Sequence, residues 1–396
     1  MTDVNKFQVK ETLTSHQSSS GMNIFDSPDF QSRVITSLRF PLIVMIVLFH
    51  LYEPGAKVDD TSIVYYSLVK LLGADGIAKI AVPTFFLISG YLFFHNVTNW
   101  NINTYWRKLK SRYKTLLRPY LLWNVMPIIL IVFLNIVIAT QNGFPVFGKA
   151  HEFLDSVGWF NIFWNVSDGH PYIVPLWYVR DLMICCLLAP LIEILVNQRW
   201  ALVYLLTIGL CFLCDFWCDT PGLSIRALFF FSLGAYFSVK KQNIVNSFAK
   251  VRLPIYISAL LLLITTVFLP QIFGKYHLFA CNLFILLGIW SLFNIASFVN
   301  AKYRFNTPVF LTESVFFIFA FHTFPLPGVG SVLGGVQRAV GAIPIHNELL
   351  SGLIEIIISP VLIVLICVLA FLAISTIAPR LCKVMNGNHI FQWKQT

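Results

Sequence analysis

The chain has 396 residues, of which 57% are hydrophobic and only 12% are charged. Ordinary soluble domains are roughly 45–50% apolar and about 25% charged, so this composition excludes a soluble globule. The formal net charge of +10 resides in short loops between apolar runs, not on one continuous basic face. Basic loops of this kind are a topology signal of membrane proteins, whereas nucleic-acid binding needs a basic face. We therefore expect the lipid bilayer, and no nucleic acid, as a partner.

The N-terminal segment differs from the rest of the chain. Residues 1–33 are rich in Ser, Thr, Asn, Gln and Asp, and they lack the apolar stretch and cleavage site of a signal peptide. They predict a disordered cytoplasmic tail. Apolar runs then recur, and about 17–25 residues suffice for a helix to cross the ~30 Å hydrocarbon core. The ten predicted spans are 34–53, 77–95, 119–139, 174–196, 200–216, 225–239, 253–270, 277–298, 308–325 and 353–377.

Basic residues concentrate on one side of these spans, in 105–118, 240–252 and 380–394. Because cytoplasmic loops carry the excess of Lys and Arg, both termini are predicted in the cytoplasm. The expected fold class is all-α, a polytopic transmembrane helical bundle in the cell's inner or plasma membrane. Its transmembrane domain would occupy 34–378, and 379–396 would form a cytoplasmic C-terminal tail.

The first span holds three ionisable residues, Arg39, His50 and Glu53. Arg39 and His50 are eleven residues apart, which places them on one helix face about 16 Å from each other along the axis. An imidazole at membrane depth is a natural general base, because it exchanges a proton near neutral pH. Glu53, one turn further on, could orient that ring. The alternatives are a snorkelling Arg39 at the inner end and a core His50 bonded to a carbonyl.

The second span contains Ser89-Gly90, which predicts close approach of a neighbouring helix. The basic segment 105–118 follows and includes Arg112 and Arg118. Its cations could bind a phosphorylated ligand from the cytoplasm, since arginine pairs phosphate bidentately. Contact with lipid headgroups explains the segment equally well.

Two later spans carry the other buried ionisable residues. Arg180 and Asp181 lie near the outer end of the fourth span, as a structural ion pair or as functional groups. His322 lies near the outer end of the ninth. Glu313, nine residues before His322, falls on the opposite side of that helix and is not expected to be its partner.

The loops and cysteines give weaker signals. The outer loop 140–173 mixes Trp159, Trp164, His170 and other aromatic residues, which fits anchoring at the lipid interface or stacking on sugar rings. Cys211, Cys214 and Cys218 are the only cysteine cluster. They lie along an apolar helix without a nearby histidine, so we expect packing and no metal site.

These segments together resemble the membrane acyltransferase family 3, which includes bacterial O-acetyltransferases of surface polysaccharides. The strongest motif of the family lies in the first helix, where an Arg or Lys is followed, after ten intervening residues, by a His. Arg39 and His50 match this spacing. The resemblance runs from about Arg33 to Thr376. The supporting segments are Phe85–Leu92, Trp177–Leu182, Arg226–Tyr236 and Phe316–His322.

One family motif departs from the pattern. The Arg-x-x-Arg after the second helix is incomplete, because Thr115 stands three positions after Arg112. Lys108, Lys114 or Arg118 could supply the missing charge.

The resemblance implies an O-acyltransferase of the class that transfers groups other than amino-acyl groups. Its donor would be a cytoplasmic acyl-CoA, acetyl-CoA for an O-acetyltransferase, and its acceptor a hydroxyl of a cell-surface or lipid-linked glycan. The expected site consists of catalytic residues His50, Glu53, Arg180, Asp181 and His322, with Arg39, Arg112 and Arg118 binding the donor.

Two other classes of function remain open on the sequence. Buried His, Arg and Asp also mark the pathways of a transporter or flippase for a glycan or small polar substrate. Such proteins often have internal inverted repeats, and none is visible in this sequence. A receptor or structural membrane protein would leave the spacing of Arg39 and His50 unexplained.

Overall fold

The computed structural model describes residues 27–52, 63–97, 99–142, 158, 160–165, 167, 169–217, 220–248, 252–303, 306–326 and 330–391. The predicted tail over 1–26 and the candidate residue Glu53 lie outside these ranges. The helices of the described residues are α1 (Pro28–Leu51), α2 (Ile63–Leu72), α3 (Ala81–Phe94), α4 (Ile102–Arg112), α5 (Arg118–Asn142), α6 (Trp177–Leu187), α7 (Ala189–Asn197), α8 (Ala201–Leu213), α9 (Ile225–Val239), α10 (Ile244–Phe248), α11 (Leu253–Phe268), α12 (His277–Tyr303), α13 (Val309–Phe321), α14 (Val332–Gly341), α15 (Glu348–Ile377) and α16 (Pro379–Met385).

Short elements connect these helices. A π-helical turn, Tyr113–Leu117, joins α4 to α5. The 3-10 turns are Ile77–Ile80, Val174–Leu176, Pro270–Ile272 and Gly274–Tyr276. Strands β1 (Pro325–Leu326) and β2 (Gly330–Ser331) form an antiparallel pair between α13 and α14.

The helices confirm an all-α membrane protein. Five helical segments of the described chain are long and apolar enough to cross a membrane: Pro28–Leu51, Ile63–Phe94, Ile102–Leu134, Gly274–Tyr303 and Leu349–Ile377. Shorter apolar helices are α8, α9, α11 and α13. Each of the ten predicted spans contains a helix, but a helix of 13 residues reaches only about 20 Å. The number of crossings and the side of the termini therefore stay predictions.

Several helix boundaries differ from the predicted spans, and two of these differences have a clear local cause. The fourth predicted span, 174–196, is two helices, because α6 ends at Leu187 and α7 begins at Ala189. Pro190 in the first turn of α7 has no N–H to continue the hydrogen bonds of α6. The first helix begins at Pro28, before the predicted residue 34, since proline has the backbone angle that a first helical turn requires.

Helix α1 lies at the centre of the bundle and packs against α3, α12, α13 and α15. Val34, Leu42 and Val47 on this helix are fully buried. Arg39 and His50 on the same helix are partly buried. The packing of α1 therefore carries both candidate residues into the protein interior.

Helices α3 and α9 approach each other unusually closely at two glycines. A Cβ atom on Gly90 would lie 2.0 Å from the Phe231 carbonyl oxygen, and one on Gly234 would lie 2.0 Å from the Leu87 carbonyl oxygen. Small residues at such a crossing let two backbones come together in a membrane. The close approach predicted at Ser89-Gly90 is thus present, with α9 as the neighbour.

The C-terminal segment, predicted as a tail, packs against the bundle as far as Phe391. The indole nitrogen of buried Trp123 donates a hydrogen bond to the Met385 carbonyl oxygen at 2.8 Å. Gly387 has a φ of +62°, and a Cβ atom there would lie 2.5 Å from the Thr115 carbonyl oxygen. Only glycine fits this conformation and contact, which seats the segment against the π-helical turn.

We expect Gly234→Ala to destabilise the bundle, because the added methyl group would push α9 away from α3. Overpacking of this kind costs about 1–3 kcal/mol. The measurement is the melting temperature of the purified protein in detergent. Gly341→Ala is the matched control, since nothing lies within 4 Å of a Cβ atom at that position. Equal melting temperatures for the two variants would contradict the prediction.

Candidate active site

Two histidines from different helices meet inside the bundle. His50 is in the last turn of α1, and His322 directly follows α13. Because α1 and α13 pack together, the two ring centroids lie only 5.3 Å apart, with an interplanar angle of 46°. The sequence placed both histidines toward the outer side and left the role of His322 open. The structure brings them together.

The environment of His322 determines which ring nitrogen carries its proton. The residue is fully buried, and its Nδ1 atom lies 2.9 Å from the Ile318 carbonyl oxygen. A carbonyl oxygen only accepts, so Nδ1 carries the proton and Nε2 keeps its lone pair in the neutral ring. Nε2 is buried and has no hydrogen-bond partner among the described residues. His322 therefore presents an unused proton acceptor next to His50.

Arg39 and Arg112 line the same cavity, of about 240 Å³, which we call the inner cavity. Helices α1, α3 and α13, the end of α4, the π-helical turn and the segment after α16 form its walls. Its other polar or charged side chains are Ser89, Thr115, Thr312, Glu313, Asn386 and His389. The two arginines were predicted on separate motifs, and the fold brings them together about 16 Å from His50 along α1.

The inner cavity has an excess of positive charge. Among the described residues, neither Arg39 nor Arg112 forms an ion pair. The carboxylate of Glu313 is bound by Nδ1 of His389 at 2.6 Å. Asn386 donates to the Glu313 carbonyl oxygen at 2.7 Å and thereby holds the C-terminal segment against α13. The two guanidinium groups remain available to an anion.

Other candidate cations of the basic segment lie elsewhere. Arg118 is not among the residues that line the inner cavity. Lys108 donates to the His95 carbonyl oxygen at 3.3 Å, and Lys114 is exposed. None of these three cations therefore lines the inner cavity beside Arg112.

Arg180 and Asp181 form a buried ion pair on α6. The Arg180 Nη2 atom lies 2.8 Å from Asp181 Oδ1, and Nη1 donates to the Gly169 carbonyl oxygen at 2.8 Å. The guanidinium group also lies 5.1 Å from the ring centre of Trp164. Both residues line a second cavity, of about 510 Å³, which we call the outer cavity. The pair is therefore structural and also faces open space.

Tyr178 connects the wall of the inner cavity to the helix that ends beside His322. Its hydroxyl group is 3.1 Å from the hydroxyl of Ser89, which lines the inner cavity. Its ring packs 5.7 Å from that of Phe319, one helical turn before His322. Neither histidine lines the inner or the outer cavity.

Several residues of this region were not recognised as site residues in the sequence. Asn386 and His389 gave no signal, because only the packing of distant segments brings them to Glu313. Tyr178 lies in the supporting segment Trp177–Leu182, but no role was assigned to it. The polarity of Glu313 within an apolar span was visible, but its partner His389 lies 76 residues away in the chain. Among the described residues, no group of three His, Cys, Asp or Glu side chains could hold a metal ion.

The fold and these contacts define an all-α integral membrane protein with a buried histidine pair near two polar cavities. The acyltransferase domain family, the family that the motifs resemble, matches residues 34–378. The chain therefore belongs to the membrane acyltransferase family 3.

One relative has a named role. The succinoglycan biosynthesis protein ExoH of Rhizobium meliloti (strain 1021) is 29% identical over 218 residues, which cover 53% of this chain and 55% of ExoH. The match thus spans about half the length of that relative. No solved structure matches the chain significantly.

We expect Asp181→Ala to lower the melting temperature in detergent, because it leaves the buried Arg180 without its carboxylate. Removing one partner of a buried pair costs about 3–5 kcal/mol, whereas replacing both by apolar groups is often neutral. The double variant Arg180→Leu with Asp181→Ala is the control and should melt closer to the wild type. If the single variant is as stable as the wild type, the pair does not support the fold.

Proposed function

We propose that this protein transfers an acyl group, acetyl in the simplest case, from cytoplasmic acyl-CoA to a hydroxyl of a cell-surface or lipid-linked glycan. The observation that carries the proposal is the pairing of His50 with His322, whose Nε2 atom is an unused proton acceptor. Membership of the acyltransferase family and similarity to a succinoglycan biosynthesis protein support the class of reaction and acceptor.

In this proposal the protein lies in the inner or plasma membrane of the cell. Both termini and the inner cavity face the cytoplasm. The basic segments near Arg112 support that orientation. Phosphate groups of CoA are then held by the guanidinium groups of Arg39 and Arg112, which lack ion-pair partners among the described residues. Arginine suits this role because it pairs phosphate through two hydrogen bonds.

The volume of the inner cavity limits how the donor is held. At about 240 Å³, it lies below the ~300–1,000 Å³ typical of pockets for drug-sized ligands. It therefore accommodates part of CoA, with the remainder in the cytoplasm. In this scheme the thioester arm spans the roughly 16 Å along α1 between Arg39 and His50.

The histidine pair supplies the proton transfer. His50 takes the proton of the acceptor hydroxyl as its oxygen attacks the thioester carbonyl carbon. The new C–O bond forms, the C–S bond breaks, and the proton passes to the CoA sulfur, which leaves as the thiol. In this scheme the lone pair on His322 Nε2 accepts a hydrogen bond from the His50 ring once that ring is protonated, and thereby stabilises its positive charge. No metal takes part in this scheme.

A transporter or flippase was the alternative from the sequence. Membership of an acyltransferase family favours an acyltransferase over a transporter or flippase. The discriminating experiment incubates the purified protein with acetyl-CoA in detergent and measures release of the CoA thiol. A transporter should release none, whereas an acyltransferase without its acceptor should hydrolyse the thioester slowly.

We expect Arg39→Ala to raise the KM for acetyl-CoA about ten- to hundredfold, the equivalent of losing a hydrogen bond to a charged group. Arg39→Lys should retain part of the affinity because it keeps the charge. Lys114→Ala is the control, since that lysine belongs to the basic segment, is exposed and does not line the inner cavity. An unchanged KM in both Arg39 variants would show that this arginine does not bind the donor and is instead a snorkelling anchor at the inner end of the helix.

We expect His50→Ala to reduce acyl transfer about 10²–10⁴-fold, the usual contribution of a positioned base, without preventing membrane insertion. His322→Ala should also reduce transfer. The double variant should be little worse than either single variant, because residues that act as a unit have non-additive effects. The measurements are glycan acylation by mass spectrometry and protein level in the membrane.

His346→Ala is the matched control for this series, because that histidine is exposed near the start of α15. It should acylate normally. A His50→Ala protein at normal level whose glycan is fully acylated, under conditions where turnover limits the yield, would disprove the role of the pair.

A further inference from the structure

The outer cavity has a balanced set of charges that the proposed chemistry at His50 does not use. Asp181 on α6 and Asp215 after α8 supply carboxylates, and Arg180 and Arg226 supply guanidinium groups. The ring of Trp177 and the hydroxyl of Ser224 also face this space. Two positive and two negative groups leave no net charge, which suits a neutral ligand with many hydroxyl groups better than an anion.

Arg226 and Asp215 are the members of this set without a fixed structural task. Arg180 is already bound to Asp181 and to the Gly169 carbonyl oxygen. By contrast, the Arg226 Nε atom is buried without a hydrogen-bond partner among the described residues. Leaving a buried donor unpaired costs about 1–3 kcal/mol. A ligand that accepts a hydrogen bond from Arg226 would offset this cost.

Asp215 is held in an uncommon backbone conformation. Its φ is +52°, which non-glycine residues seldom adopt. Its N–H group donates to the Phe212 carbonyl oxygen, and the N–H group of Phe216 donates to the Cys211 carbonyl oxygen. This turn fixes an exposed carboxylate at the edge of the outer cavity, where it can accept hydrogen bonds from hydroxyl groups.

The outer cavity is close to the histidine pair. Trp177 and Asp181, which line the cavity, belong to the same helix as Tyr178, and Tyr178 packs against Phe319, one turn before His322. The outer cavity is therefore lined by the residue next to Tyr178, which packs beside the helix that ends at His322.

We infer that the outer cavity binds a saccharide unit of the acceptor, with Arg226 and Asp215 recognising its hydroxyl groups. The inference rests on the proposed function and assigns the acceptor to this cavity. The volume of about 510 Å³ falls within the ~300–1,000 Å³ of small-molecule pockets. Trp177 offers an aromatic face to a sugar ring, and the paired charges provide both donors and acceptors.

The test compares two activities of Asp215→Asn and Arg226→Gln. Cells that lack the gene are complemented with each variant, and acylation of their glycan is measured by mass spectrometry. The purified variants are assayed for release of the CoA thiol from acetyl-CoA without acceptor. We expect the ratio of glycan acylation to thioester hydrolysis to fall at least about tenfold in both variants, because only the first activity needs the saccharide.

Cys214→Ser is the control, since this exposed residue precedes Asp215 but does not line the cavity. Its ratio should equal that of the wild type. Asp215 is itself exposed, so the isosteric Asn variant tests the cavity even if Arg226→Gln folds poorly. An unchanged ratio in Asp215→Asn, or a parallel fall of both activities, would overturn the inference. A wild-type protein that neither hydrolyses acetyl-CoA nor acylates glycan would instead refute the proposed function.

Discussion

The packing of α1 against α13 is the contact on which the rest of the candidate site depends. It places the His50 and His322 rings 5.3 Å apart between centroids. The same contact brings Glu313 on α13 to the cavity lined by Arg39 on α1. Arg39 and His50 both lie on α1, so this helix fixes the distance between them. Any change in the crossing of α1 and α13 would disturb both ends together.

Charge compensation explains how so many ionisable groups coexist in an apolar bundle. Asp181 neutralises Arg180, and His389 binds Glu313. A charge inside a membrane costs about 2.5–3.5 kcal/mol on insertion scales, so groups left without such partners require another explanation. Among the described residues, Arg39, Arg112 and the Nε atom of Arg226 belong to this second group. Under the proposed function, CoA phosphates pair with Arg39 and Arg112, and the acceptor pairs with Arg226.

Much of this arrangement could be predicted from the sequence, because helix periodicity and hydropathy are local properties. The shared face of Arg39 and His50 follows from eleven residues of helical spacing. The meeting of His50 with His322 could not be predicted from helical spacing, since it depends on which helices pack together. The contact of His389 with Glu313 could not be predicted either, because the segment after α15 has no periodic pattern. The break at Leu188 was missed because the apolar composition continues through Pro190.

The glycine contact near the C-terminal end has a consequence for biosynthesis. Asn386 and His389, which wall the inner cavity, follow every transmembrane candidate in the order of the chain. Because synthesis runs from the N-terminus, the helices that carry Arg39 and Arg112 are made before this wall, and the inner cavity stays open until the segment after α16 arrives. Gly387 then docks against Thr115 and closes that side. The inner cavity is thus completed only after α15 has been made, and removal of residues 386–389 would leave one of its walls open.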